Sequence, residues 1–180
     1  IPEPVTYDAL LETYHQALAA NPKVRLLLLT HISHRTGLMI PVREIVEMAR
    51  GFGVDCIVDA AHSWGQTDFR MEDLGADFVG FNLHKWIGAP LGVGALYIRK
   101  DRISAIDPDP AEPPSRTDID ARVHPGTPDY AAQLTVPAAL EFQSATAEFS
   151  DILRCISSIL DSSNSFSRFV HFVCLFSNST

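Results

Sequence analysis

The sequence predicts an α/β protein with a three-layer, doubly wound and mostly parallel sheet. Short apolar runs alternate with segments of helical periodicity over the first 100 residues, as in strand–helix–strand units. Polar residues follow three of these runs directly, where open α/β sheets bind ligands. A chain of 180 residues is also long enough for one domain with an apolar core.

The elements of the first half follow in order from the residue pattern. Thr6 to Ala20 has apolar residues at helical spacing and is stopped by Asn21-Pro22. Val24 to Thr30 (VRLLLLT) is a nearly continuous apolar run, which predicts a strand buried on both faces. Pro41 to Arg50 is predicted to be a helix, because proline suits a first turn and glycines follow its end. Three further strands are predicted at Asp55–Val58, Ala76–Phe81 and Val93–Ile98.

The second half is less regular. Asp107 to Pro128 is predicted to be a loop, since it is rich in proline and acidic residues. Tyr130 to Phe149 is predicted to be helical, with a kink at Pro137. Ser157 to Thr180 mixes serine with phenylalanine and follows neither the helical nor the strand period. We therefore divide the chain into a domain, 1–150, and an atypical tail, 151–180.

Composition and charge argue against several classes of function. The net charge is −8, whereas nucleic-acid binding needs a basic stripe. No apolar run approaches the roughly 20 residues that a membrane helix needs. Cys56, Cys155 and Cys174 are an odd number without metal spacing, and Cys56 in an apolar strand is expected to be a buried thiol. We expect no nucleic-acid or membrane partner, and a reducing, cytoplasmic location.

Candidate site residues follow the first three predicted strands. Because the carboxyl ends of parallel strands meet at one edge of the sheet, these polar groups are expected to converge there. The residues after the three strands are, in order, Thr30, His31, Ser33, His34 and Arg35; Asp59, His62 and Ser63; and Asn82, His84 and Lys85.

Asp59 and Lys85 each have a structural and a functional interpretation. Asp59 ends a buried strand, where it can cap the next turn or face the cationic ring nitrogen of a cofactor. Lys85 is either a solvated loop lysine or an amine that forms a Schiff base with a carbonyl. A lysine Schiff base together with an aspartate on a pyridinium nitrogen is the pairing expected for pyridoxal phosphate. The glycines after Lys85 allow a tight turn and a close approach of the backbone to a ligand.

The histidines at this edge also allow a rival interpretation as a metal site. The four concerned are His31, His34, His62 and His84. No carboxylate or thiolate pattern accompanies them at ligand spacing, so no metal is expected.

Two tryptophans and two arginines each have two possible roles, one at a site and one structural. Trp64 and Trp86 either line a pocket or pack in the core. Arg35 and Arg122 either bind a substrate carboxylate in the bidentate geometry of a guanidinium or form surface ion pairs.

The segment VDAAHSWGQTDFRMEDLGADFVGFNLHKWIGAPLGVGALYIRK resembles class V, fold-type I pyridoxal-phosphate enzymes, which include aminotransferases and cysteine desulfurases. The resemblance is greatest to the isopenicillin-N-epimerase-like branch and covers roughly residues 5–143. It rests on the motifs D-x-x-H, N-x-H-K-W, G-x-G and R-x-x-x-G-T, which are specific only in combination.

The resemblance implies roles for residues around the cofactor. Lys85 would be the lysine of the internal aldimine, and Asp59 would pair with the pyridine nitrogen. His62 would hydrogen-bond the phenolic oxygen of the ring, where relatives often have Gln. Asn82 and His84 stand where the family contacts the phosphate, usually as Ser-x-His-Lys.

Three further residues are implicated by the resemblance. Gly126 and Thr127 match a segment that reaches the phosphate of the neighbouring subunit, which implies a homodimer. His34 stands where desulfurase-like relatives carry an Asn near the ring, and is a departure from that pattern.

The resemblance implies a pyridoxal-phosphate enzyme that acts on an amino acid, with racemisation or epimerisation, transamination and β-elimination all open. A cysteine desulfurase or C–S lyase on the same fold is an alternative. Because relatives are about twice as long, the domain is expected to be incomplete, and a truncated product without catalysis is a further alternative. On this view the tail, 151–180, is not native family sequence.

Overall fold

The computed structural model describes residues 6–122, 130–146 and 170–171, which form a five-stranded mixed sheet with helices. The strands are β1 (Leu26–Thr30), β2 (Asp55–Asp59), β3 (Phe78–Asn82), β4 (Gly94–Ile98) and β5 (Val170–His171). They lie side by side in chain order. β1, β2 and β3 are parallel, and β4 is antiparallel to both of its neighbours, so four of the five strands share one direction. The predicted α/β class with a mostly parallel sheet is confirmed.

The two helices of the first half begin and end within one residue of the predicted positions. They are α1 (Tyr7–Ala20) and α2 (Val42–Gly51). The Thr6 hydroxyl accepts a hydrogen bond from the Ala9 amide at 3.2 Å and so caps α1. Pro41 immediately precedes α2, where its fixed φ suits a helix start.

The predicted helix of the second half is divided into α3 (Ala131–Leu134) and α4 (Val136–Thr146). The break falls at Thr135, whose amide hydrogen-bonds the Ala132 carbonyl at 3.3 Å. Pro137 follows two residues later and lacks the amide that a continuous helix needs, which accounts for the break. The last three residues of the predicted helix, 147–149, lie outside the described residues.

The core lies between the sheet and the first two helices. α2 packs against β2, and α1 packs against α2. Alternate strand residues point to this side, and Leu29, Val58 and Val79 are fully buried there with Ile45 of α2. Burying each such side chain contributes about 1.5–3 kcal/mol. This packing fixes the strand ends from which the candidate site projects.

The prediction that the first strand is buried on both faces is wrong for the described part of the chain. Leu26 and Leu28 are 54% and 65% exposed, respectively. Leu29, the next residue after Leu28, is fully buried. The helices that cover the Leu29 side of the sheet therefore leave the side chains of Leu26 and Leu28, on the other side, largely exposed. The apolar run therefore belongs to a strand with one covered face.

A buried carboxylate fixes the opposite edge of the sheet from the candidate site. Asp77, only 4% exposed, accepts a hydrogen bond from the Cys56 amide at 2.8 Å. Its other oxygen lies 3.1 Å from a guanidinium nitrogen of Arg99 and 3.6 Å from Nε of Arg102, which also pairs with Asp55. These contacts join β2, the start of β3 and the turn after β4.

The remaining predictions fall partly outside the described ranges. From Asp107 to Arg122 the chain has no regular element except a short 3-10 turn at Asp120–Arg122, and 123–128 is not described. Within the tail only the two residues of β5 are described, so the division at residue 150 stays a prediction. No helix in the described ranges is long and apolar enough to span a bilayer.

Candidate active site

The carboxyl ends of β1, β2 and β3 and the beginning of β4 form one edge of the sheet. Thr30 pairs with Asp59, Asp59 with Gly80, and Asn82 with Gly94 in the strand register. The predicted residues on these strands are thus brought to one edge, as expected from the parallel order. Asp59 is half-buried, and its Oδ1 accepts a hydrogen bond from the Ala61 amide at 2.9 Å. Among the described residues, its Oδ2 has no hydrogen-bond partner, so one oxygen is left to meet a ligand.

Lys85 lies in a tight turn directly after β3. The Leu83 amide donates to the Val93 carbonyl at 3.0 Å, and the Ala89 amide donates to the Leu83 carbonyl at 3.0 Å. Gly88 closes the turn with its amide 3.3 Å from the Lys85 carbonyl, and its φ of +77° is one that glycine adopts without strain. The glycine after Lys85 is therefore needed to turn the chain tightly around the lysine.

The amine of Lys85 meets an imidazole from the neighbouring loop. Nζ of Lys85 lies 3.0 Å from Nε2 of His62. The His34 ring is stacked on the His62 ring, with 5.8 Å between centroids and 26° between planes. Desolvation, followed by the charges of Lys85 and His34, lowers the pKa of His62, while Asp59 acts in the opposite direction. The neutral ring can thus accept a hydrogen bond from the Lys85 ammonium through Nε2.

A buried histidine–serine pair lies beneath this group, and its pairing was not predicted from the sequence. His31 and Ser63 are buried, at 7% and 0% exposure, with 3.0 Å between Nδ1 and Oγ. The Ser63 hydroxyl donates to the Ala60 carbonyl at 3.3 Å, so it accepts from Nδ1–H of His31. Burial lowers the pKa of His31, which favours its neutral form. The pair joins the loop after β1 to the loop that carries His62.

Gly65 joins the His62 loop to the Lys85 loop by a close backbone approach. Its φ is +81°, and a Cβ at this position would lie 2.9 Å from Cδ1 of Ile87 and 3.1 Å from Cβ of Trp86. Both separations are shorter than ordinary carbon contacts. A glycine is therefore required here, and no local pattern in the chain indicated which loop it would contact.

A groove of about 490 Å³ runs along the sheet beside these groups. Its polar lining includes Asp59, Asn82 and Lys85. Apolar residues from four strands form the rest of its wall, namely Leu28, Ile57, Val58, Phe81, Ala95 and Leu96. An apolar groove with a few convergent polar groups is the usual form of a small-molecule site.

The residues expected near a phosphate are only partly described. Asn82 is half-buried at the end of β3, and Nδ1 of His84 lies 3.3 Å from the Val93 carbonyl. With Nδ1–H donating to this carbonyl, Nε2 of His84 remains for a ligand. Gly126 and Thr127 lie outside the described residues, so their predicted role is untested.

Other candidates do not join the group at Lys85. Trp64 is 1% exposed and packs on Phe81 with ring centroids 4.5 Å apart, which supports a core role, whereas Trp86 is 41% exposed. The guanidinium of Arg122 donates to three backbone carbonyls in its own region of the chain. Arg35 is exposed in the turn that carries His34, and its binding of a carboxylate stays a prediction. Within the described ranges, no three His, Cys, Asp or Glu side chains are grouped to hold a metal.

The fold is that of the fold-type I pyridoxal-phosphate enzymes. Two solved structures of C-DES, each 29% identical, cover 74% of this chain and 39% of their own, with TM-scores of 0.64 and 0.63. One has glycine covalently linked to its pyridoxal-phosphate cofactor, and the other is a complex of this cystine C–S lyase with its product cysteine persulfide.

The chain belongs to the class-V aminotransferase family, whose model matches residues 4–161. The L-cysteine desulfhydrase of Arabidopsis thaliana is 35% identical over 123 residues, which are 66% of this chain and 27% of that protein. Isopenicillin N epimerase of Streptomyces clavuligerus is 32% identical over 143 residues, which are 70% of this chain and 36% of that protein. The chain thus spans about a third of the length of the curated relatives it matches.

The family and the C-DES structures indicate pyridoxal phosphate as the cofactor. The residues at the groove fit this group chemically. An amine suits its aldehyde, and a carboxylate with a free oxygen suits its protonated ring nitrogen. Lys85 and Asp59 supply these two groups on the lining of a single groove.

Proposed function

We propose that this chain is part of a pyridoxal-phosphate enzyme that acts on an amino acid through the Lys85 amine. The observation that carries the proposal is the convergence of Lys85, Asp59 and Asn82 on one groove. Asp59 ends β2, whereas Asn82 ends β3 and Lys85 follows it, and together they supply the carboxylate, the neutral donor and the amine that the cofactor requires. A solvated surface lysine would need no such surroundings.

Each residue of the group has a proposed role. When bound, pyridoxal phosphate supplies an aldehyde that bonds to amines and a ring that delocalises electrons from the substrate's α-carbon. Asp59 would hold the proton of the ring nitrogen with its free Oδ2. His62 would donate a hydrogen bond to the phenolic oxygen. Asn82 and His84 would bind the phosphate, His84 through the Nε2 that its contact with Val93 leaves available.

Lys85 has two successive tasks in this proposal. Its amine would first hold the cofactor and would then be released when an amino acid takes its place. The free amine would next remove the α-proton of the substrate as a general base, which contributes roughly 10²–10⁴-fold to rate. The turn closed by Gly88 restrains the backbone of Lys85 and so limits the range of its amine.

Within this class we propose β-elimination from a cysteine-like substrate, with cleavage of its C–S bond. Support comes from the similarity to L-cysteine desulfhydrases and to the cystine C–S lyase C-DES. A desulfurase needs a nucleophilic cysteine on a mobile loop. Cys56 is fully buried in β2, and burial and the nearby Asp77 raise its pKa to about 12, so it is unsuited to that task. Cys155 and Cys174 lie outside the described residues.

Epimerisation at the α-carbon is a second candidate, supported by the 32% identity to isopenicillin N epimerase over 70% of this chain. It shares proton removal by Lys85 with elimination. It differs in the next step, because a proton must return to the opposite face of the α-carbon instead of a sulfur group leaving.

One experiment separates these reactions. The chain is loaded with pyridoxal phosphate and incubated in D₂O with L-cysteine or with L-alanine, which has no β leaving group. Elimination predicts sulfide, pyruvate and ammonia from cysteine, and epimerisation predicts the deuterated D-isomer without sulfide. Lys85→Ala should abolish either outcome, and Lys100→Ala is the matched control. If neither substrate exchanges its α-proton, the proposed action on a cysteine-like substrate is wrong, and a truncated product without catalysis is favoured.

We also propose that the enzyme works as a homodimer and in the cytoplasm. Gly126 and Thr127 would then reach the phosphate bound by the partner subunit. Mixing Lys85→Ala with Thr127→Ala chains tests this, because a shared site regenerates one intact site per mixed dimer. Cofactor retention that returns on mixing supports the dimer, and retention that stays at the level of the separate variants contradicts it.

A further inference from the structure

The groove beside Lys85 has polar side chains at one end only. These are Asp59, Asn82 and Lys85, at the edge of the sheet where β2 and β3 end. The rest of the lining is apolar and includes Leu28 of β1, Ile57 of β2 and Leu96 of β4. The polar end accounts for the groups that are proposed to meet the cofactor, and it leaves the apolar part of the groove without a role.

Gly80 keeps the floor of this apolar part open. In the strand register Gly80 lies between Asp59 of β2 and Leu96 of β4. Apart from its chain neighbours, no described atom lies within 4 Å of the position that a Cβ of Gly80 would take. Side chains two residues apart on a strand share a face, so Ile57 lies on the same side of the sheet as Asp59. Apolar contacts are thus offered directly beside the carboxylate that is proposed to meet the cofactor.

We propose that the apolar part of the groove binds an apolar group carried on the sulfur of the substrate, which is then an S-alkyl or S-aryl conjugate of L-cysteine. Free cysteine has only a thiol to place there, and the group on the sulfur of cystine is a charged amino acid. Neither matches an apolar wall, because a charged group loses its hydration without gaining a partner. The inference rests on the proposed function, since the conjugate is the substrate of the same elimination.

The elimination balances for such a conjugate. Lys85 removes the α-proton, the electron pair of that C–H bond forms a double bond between Cα and Cβ, and the Cβ–S bond breaks with its pair on sulfur. The proton taken by Lys85 balances the charge on the sulfur, which leaves as a thiol with its apolar group. The three-carbon fragment takes up one water and yields pyruvate and ammonia. Water is the only co-reactant, and no external oxidant or reductant is needed.

Three substitutions test the apolar part of the groove. Leu28→Ser makes one wall residue polar. Leu26→Ser is the matched control, because Leu26 lies on the same face of β1 but is not among the described residues that line the groove. Both leucines are more than half exposed, so neither change removes a buried core contact. Gly80→Val fills the floor, since a β-branched residue suits a strand and no described atom obstructs its Cβ.

The first measurement is the ratio of kcat/KM for S-benzyl-L-cysteine to kcat/KM for S-methyl-L-cysteine, from pyruvate formed by the chain loaded with pyridoxal phosphate. The two conjugates differ in their leaving thiols, so the change of this ratio between variants carries the test. Leu28→Ser and Gly80→Val should each lower the ratio about 10-fold, the effect of losing a methylene-sized apolar contact. Leu26→Ser should leave it unchanged. Equal ratios in Leu28→Ser and Leu26→Ser overturn the proposal.

The second measurement is binding without catalysis. S-benzyl-L-cysteine is added to the cofactor-free chain, and the leucine and isoleucine methyl groups are followed by NMR. The resonances of Leu28 and Ile57 should shift, and that of Leu26 should not. Absence of a shift at Leu28 and Ile57 overturns the proposal. Shifts at both, with no pyruvate from any cysteine derivative, contradict the proposed function and leave the apolar ligand of the groove in place.

Discussion

Replacing Ser63 with alanine tests how the loop that carries His62 is held. The hydroxyl is fully buried and accepts the hydrogen bond of Nδ1–H of His31 at 3.0 Å. In Ser63→Ala this buried N–H has lost its acceptor, and an unsatisfied buried polar group costs about 1–3 kcal/mol. We therefore expect the free energy of unfolding, measured by urea denaturation at pH 7.5, to fall by this amount.

The double variant His31→Phe/Ser63→Ala is the control. It removes both polar partners and keeps a ring beside Phe69, whose centroid lies 5.0 Å from that of His31. Removing both partners of a buried hydrogen bond destabilises a protein less than removing one. The loss of unfolding free energy in the double variant should therefore differ from the sum of the two single losses by at least about 0.5 kcal/mol. A loss below about 0.5 kcal/mol in Ser63→Ala, or strict additivity in the cycle, would refute the idea that this pair holds the two loops together.

Three other features of the fold give further predictions. Gly65→Ala places a Cβ at a positive φ and in overlap with Ile87. We expect the free energy of unfolding to fall by about 2–4 kcal/mol and the Lys85 loop to be displaced. A loss under about 1 kcal/mol would contradict the close approach. Asp77→Asn removes the charge that Arg99 faces and should cost about 3 kcal/mol, with Asp101→Asn as the exposed control. Burial lowers the pKa of His31, so the unfolded chain binds more protons than the folded chain as the pH falls through about 6.5. The free energy of unfolding should therefore fall with the pH by up to about 1.4 kcal/mol per pH unit. His31→Phe should reduce this slope.

The elements of the sheet were predictable because local pattern and tertiary position agree for them. The apolar runs and the helix signals around Pro41 give β1, β2 and α2 to within two residues. The exposure of Leu26 and Leu28 was not predictable from the sequence. An apolar run shows that both faces of a strand can be buried, but it does not show which faces other elements cover.

The candidate site was predictable as a set of residues but not as a set of contacts. The parallel order of strands brings Asp59, Asn82 and Lys85 to one edge, and this follows from topology alone. The pairing of Lys85 with His62 depends on two loop conformations, which periodicity does not encode. The same holds for the pair of His31 and Ser63, whose residues are 32 positions apart in the chain.

The measurement that tests the central claim most directly is borohydride trapping of pyridoxal phosphate on the chain, followed by digestion and mass spectrometry. The chain has three lysines, Lys23, Lys85 and Lys100, so two of them are internal controls. We expect the reduced cofactor on Lys85 alone, with labelling that is lost on unfolding and weakened in Asp59→Ala. Labelling spread equally over the three lysines, or labelling of Lys85 that persists in urea, would contradict an organised cofactor site at this edge of the sheet.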